Sequence, residues 1–143
     1  MHQEIITDSP EATFDLGEKI GAGLVGGEII GLVGNLGSGK TTFVQGLAKG
    51  LDISDRILSP TFLLMREYQT PKDINFYHID LYRLYSPAGA ELTNLGIDQL
   101  WGRDKNVVVV EWADKAIAHF PKGTTWIYFK QTSEIRRQIT IKQ

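Results

Sequence analysis

One octapeptide limits what this chain can fold into more than any other feature of it. Gly34-Asn35-Leu36-Gly37-Ser38-Gly39-Lys40-Thr41 meets, at every required position, the pattern glycine, four residues, glycine, lysine, then serine or threonine. Such a loop is useful between the C-terminal end of a buried strand and the start of a helix. There its glycines let successive backbone N–H groups turn inward onto phosphate oxygens, and the helix adds its positive end. The flanking residues agree with that context. Glu28 to Val33 reads as a strand apolar on both faces, as in a central parallel strand covered by helices. Thr41 to Leu51 carries apolar residues at helical spacing. Strand, loop and helix together imply a nucleoside triphosphate site. Asn35, Leu36, Gly37, Ser38, Gly39, Lys40, Thr41 and Thr42 would surround the phosphates of ATP. Lys40 would reach the outer ones as a catalytic cation, and Thr41 would offer its hydroxyl to Mg2+.

The 143 residues fit one domain, 1–143, rather than two. A net charge of −2 supplies no broad attraction to nucleic acid phosphates or to an anionic membrane, so any dealing with RNA is expected to be indirect, through a partner. The absence of cysteine removes disulfides, thiolate nucleophiles and zinc-thiolate sites together. No basic stretch followed by an apolar run opens the chain, and no apolar run is long enough to cross a bilayer, so the cytoplasm is the expected compartment.

Along the chain, Glu4 to Thr7 reads as a short strand. Ser9, Pro10 and Glu11 then read as an N-cap, a first-turn proline and a first-turn acid of a helix running toward Leu24. Gly17, Gly21 and Gly23 weaken that helix by propensity. Phe62 to Tyr68 and Ile74 to Leu81 form a predicted antiparallel hairpin about the turn-forming Thr70-Pro71-Lys72-Asp73. Pro87 to Leu95 and Ile97 to Trp101 read as short helical pieces broken at Gly96, and Val107 to Val110 is the strongest buried-strand signal. Ala113 to Phe120 is expected to be a helix ending before Pro121, and Thr124 to Gln131 with Arg136 to Lys142 a closing hairpin. The fold class that follows is α/β, a P-loop nucleotide-binding fold whose mixed sheet joins a parallel core to antiparallel hairpins and is flanked by helices.

Phosphoryl transfer also needs a carboxylate for the metal and a group to orient water, both from the C-terminal edge of the sheet. Asp80 and Glu111 each end an apolar run and leave their strands at that edge. Both are candidate catalytic residues and metal contacts, and spacing alone does not divide the roles between them. Glu111 is favoured for water activation, because its strand is the more apolar. Ser59-Pro60-Thr61-Phe62 could act as a switch or be a plain turn, and Arg83 could neutralise transferred charge or pair with a surface acid. His78 shares a face with Asp80 and Phe76 and reads as a hydrogen-bonded structural group. Trp112 reads as core filling, and Lys130, Arg136, Arg137 and Lys142 as a solvated basic face.

Taken in order, the phosphate loop with Thr42-Phe43, Ser59-Pro60-Thr61-Phe62, His78-Ile79-Asp80-Leu81-Tyr82-Arg83 and Val110-Glu111-Trp112 resemble the TsaE family, formerly YjeE, over nearly the whole chain. That resemblance implies an ATPase of low intrinsic activity needed for threonylcarbamoyl-adenosine modification of tRNA. It would work with the proteins TsaB and TsaD, hydrolysis resetting their complex. It also implies that Thr41 and Glu111 contact magnesium, that Asp80 stands at a Walker-B-like position, that Thr61 lies in a switch-like segment and that Thr7 contacts the nucleoside. Asn35 and Ser38 depart from the commonest family loop, which has Asp and Ala there. The alternatives are a small-molecule kinase, for which no arginine-rich lid is visible, and a nucleotide-gated binding module. A GTPase would need an Asn-Lys-x-Asp segment and a glycine three residues after the strand-end aspartate, where this chain has Arg83.

Overall fold

The computed structural model describes residues 2–58 and 64–143. Thr61 and the Ser59–Phe62 segment, and with them the start of the expected first hairpin strand, lie outside the described residues.

The chain runs β1 (His2–Thr7), α1 (Pro10–Ala22), β2 (Ile29–Val33), α2 (Lys40–Gly50), β3 (Met65–Gln69), β4 (Asn75–Asp80), α3 (Gly89–Asn94), β5 (Asn106–Glu111), β6 (Thr125–Gln131) and β7 (Arg137–Lys142). The strands form one sheet in the order β1-β7-β6-β2-β5-β4-β3. β2 pairs parallel with both β5 and β6, and β4 parallel with β5; β1–β7, β6–β7 and β3–β4 are antiparallel. The mixed sheet expected from the sequence is the one observed. β5 is buried at every residue and β2 at all but its last, as two-sided coverage requires.

On one face α1 and α2 close a core with Leu32, Phe43, Leu47, Phe76, Val109 and Phe129. On the other, Ile79, Val108 and Val110 pack under α3 and the segments around Ile97 and Ala113. Ser9 caps α1, its hydroxyl accepting from the Ala12 N–H at 3.0 Å. The glycines that weaken α1 by propensity line its contact with α2. A Cβ on Gly17 would stand 2.2 Å from the Phe43 carbonyl oxygen, and one on Gly21 2.1 Å from that of Leu47. Gly46 and Gly50 of α2 meet α1 as closely from the other side.

The expected helix from Ala113 to Phe120 is instead 3-10 geometry over Ala113–His119, interrupted at Ala116 (φ −144°, ψ 35°). Only a short run separates the strand end from Pro121. The buried residues there are Ala113 and Ala116, whose three-residue spacing matches the tighter helix. Gly96 breaks the preceding helical pieces at φ 78°.

Candidate functional site

Because β2, β4 and β5 are parallel, their C-terminal ends share one edge, and the three pieces of the expected site arrive there together. The loop leaves β2 and delivers Lys40 and Thr41 into the first turn of α2, with Gly39 at φ 104° turning the backbone inward. Asp80 and Glu111 are cross-strand partners at the ends of β4 and β5. A cleft of about 350 Å3 runs across this edge, lined by the loop, Asp80, Glu111 and Trp112 at one end and by Ser9, Pro10, Thr13, Ile135 and Arg137 at the other.

The Thr41 hydroxyl donates to Glu111 Oε1 at 3.4 Å, so the loop and β5 meet at one point. Glu111 is 2% exposed, and its other oxygen, Oε2, lies 2.6 Å from His78 Nε2. Asp80 is 6% exposed and accepts the Tyr82 backbone N–H on Oδ1 at 2.9 Å. The Lys40 ammonium folds back onto its own loop, donating to the carbonyls of Gly34 and of Asn35, the latter at 3.0 Å. It also lies 4.0 Å from the centre of the Trp112 ring. Burial holds the Lys40 pKa below the ordinary lysine value, while Glu111, Asp80 and Asp114 pull it back up.

Thr41, Asp80 and Glu111 offer hydroxyl and carboxylate oxygens, the hard donors that suit Mg2+. Among the described residues no three histidine, cysteine, aspartate or glutamate side chains could hold an ion together. The three side chains fit an ion whose remaining ligands would be phosphate oxygens and water.

A family model described as threonylcarbamoyl adenosine biosynthesis protein TsaE matches residues 7–139. The chain belongs to the TsaE family. A TsaE protein of Nostoc sp. is 42% identical over 115 residues, covering 78% of this chain and 68% of the relative. One of Treponema pallidum is 34% identical over 137 residues, covering 95% and 97%. Among solved structures, YdiB of Bacillus subtilis superposes with a TM-score of 0.81 at 31% identity, over 99% of this chain and 84% of that one. The resemblance expected from the four motifs is borne out, and so is the fold class.

The structure gathers Asn35 through Thr42, Asp80 and Glu111 around one cleft. Thr7 is 4% exposed, with its hydroxyl 2.7 Å from that of Thr13, and Thr13 is the one that lines the cleft. Arg83 is exposed and outside the lining. Trp112 packs against the core, as the sequence suggests, but also borders the site and covers Lys40. Arg137, counted above with a solvated face, crosses from β7 and donates from Nη2 to the Gly37 carbonyl at 3.0 Å. No local pattern distinguishes it from Arg136. Among the described residues no helix is long and apolar enough to cross a membrane.

Proposed function

We propose that this protein binds magnesium ATP across the cleft and hydrolyses it weakly alone. On this reading it acts with TsaB and TsaD in threonylcarbamoyl-adenosine modification of tRNA, hydrolysis resetting their complex. The observation that carries the reading is the meeting of the Thr41 hydroxyl with Glu111 at 3.4 Å, beside a loop whose residues Asn35 to Thr42 line the same cleft. The triphosphate would lie along Gly37 to Thr42, with Lys40 exchanging its loop carbonyls for outer phosphate oxygens. The nucleoside would lie toward Thr13, Pro10 and Ile135.

Thr41 and Glu111 would hold Mg2+, with Asp80 alongside. Bound there, the ion neutralises charge on the outer phosphates. Glu111 would also orient an attacking water. The tRNA assignment is supported by family membership and by the shared name of the relatives, tRNA threonylcarbamoyladenosine biosynthesis protein TsaE. The net charge of −2 favours contact with tRNA only through the complex. The cytoplasm is the compartment this role requires.

The deciding experiment measures magnesium-ATP hydrolysis by the purified protein alone and with TsaB and TsaD added, and follows modified tRNA over many turnovers. Stimulation by the pair, with modification stalling after the first round for Glu111→Gln, is the expected result. Fast hydrolysis that ignores the pair, or phosphate transfer to a small alcohol, would overturn the assignment.

A further inference from the structure

The imidazole of His78 is fully buried in β4, and Phe76 stacks beside it on the same face with ring centroids 6.3 Å apart. Val109 of β5 is its register partner, so Glu111 is its diagonal neighbour, within reach of a side chain of this length. Its Nε2 takes up that reach, 2.6 Å from Glu111 Oε2. Its Nδ1 is buried and has no partner among the described residues.

Stability alone does not account for this pair. Two apolar side chains would fill the same space between Phe76 and Val109 without desolvating a carboxylate. The arrangement does one thing an apolar pair cannot, which is to divide the two oxygens of Glu111. Oε2 is tied inward to the imidazole, and Oε1 is left toward the Thr41 hydroxyl at 3.4 Å. A glutamate without that tether keeps its side-chain torsions free. It also has the Lys40 ammonium near enough to feel its charge. It would swing toward that ammonium and close the site with an internal ion pair.

We infer that His78 is a positioning residue that fixes the Glu111 carboxylate, so that one oxygen faces the phosphate loop and the metal carried by the nucleotide. This rests on the magnesium-nucleotide reading above. A carboxylate oxygen only accepts, so the imidazole carries a proton on Nε2.

The test compares His78→Leu, His78→Gln and the parent as full-length proteins. Gln places an amide N–H the same number of bonds from Cα as Nε2. Leu fills the space without a donor. ADP affinity is measured in excess chelator, and the magnesium concentration that half-saturates nucleotide binding is measured separately. His78→Leu is expected to hold ADP without metal within about twofold of the parent and to need about 10- to 100-fold more magnesium, with His78→Gln recovering most of that loss. An unchanged magnesium requirement in His78→Leu overturns the positioning role. So does equal loss in both variants together with metal-free ADP binding, the mark of a merely structural residue. A parent whose nucleotide binding ignores magnesium would instead remove the reading beneath it.

Nitrogen-15 resonances of histidine in the unmodified protein give a second arm that needs no variant to fold. A protonated Nε2 at His78 is expected, and a bare Nε2 overturns the inference.

Discussion

Replacing Gly21 by alanine tests how α1 and α2 are held together. A Cβ there would stand 2.1 Å from the Leu47 carbonyl oxygen, against about 3.4 Å for ordinary contact, so the helices would have to part by roughly 1.3 Å. The obstacle is backbone inside a helix and cannot rotate away. Alanine gains about 1 kcal/mol of helix propensity over glycine, whereas overpacking a close contact costs about 1–3 kcal/mol and more where backbone must move. With the clash at the upper end of that range, the net loss is about 2 kcal/mol. For a chain of this size that corresponds to a melting temperature lower by about 8 °C. Gly23, just past the end of α1, is the control. It is exposed, a Cβ there meets nothing nearer than the Ile20 oxygen at 3.6 Å, and Gly23→Ala is expected within about 2 °C of the parent. Calorimetry on the three proteins decides. Gly21→Ala melting at or above the parent would refute the argument, because propensity would then outweigh the clash. α2 also carries Lys40 and Thr41, so the same variant should bind nucleotide more weakly.

Three further outcomes are expected. Ser38 is 2% exposed and its hydroxyl has no partner among the described residues, so Ser38→Ala should raise the stability of the nucleotide-free protein by about 1 kcal/mol in denaturant titration. Arg137→Ala removes the guanidinium that holds the Gly37 carbonyl; a loss of about 1 kcal/mol of loop order should weaken ADP and ATP binding alike, roughly fivefold by isothermal titration. Lys40 has a folded-state pKa below its ordinary value, chiefly through burial. Between that value and the ordinary one the unfolded chain holds the extra proton, so this lysine's contribution to stability rises with pH across that window. Bound phosphates favour the ammonium. Nucleotide affinity should therefore fall as pH climbs past the free-state value, with proton uptake on binding that titrations in buffers of different ionisation enthalpy detect.

The parts of the site that share a strand or a loop with their signal were legible in the sequence. Gly34 to Thr41 carries its own geometry, and the apolar runs before Asp80 and Glu111 say which end of each strand the carboxylate leaves. Parallel pairing then brings those ends to one edge, as expected. What stayed illegible depends on register and on side chains from distant strands. Nothing near Arg137 reports that it reaches back to Gly37. The His78–Glu111 contact exists because β4 and β5 pair His78 with Val109, and a register moved by two residues would leave the histidine beside Val107 or Glu111 itself. The glycines of α1 show the limit most plainly. Propensity scores each of Gly17, Gly21 and Gly23 as a similar weakness. The structure divides them sharply, since two press against α2 and the third faces solvent. The surface that distinguishes them belongs to another helix. Gly17 and Gly21, with Gly46 and Gly50 across the contact, bring the two backbones together along α2 from Phe43 to Gly50, so residues that read as local weaknesses hold the helix whose first residue is Lys40.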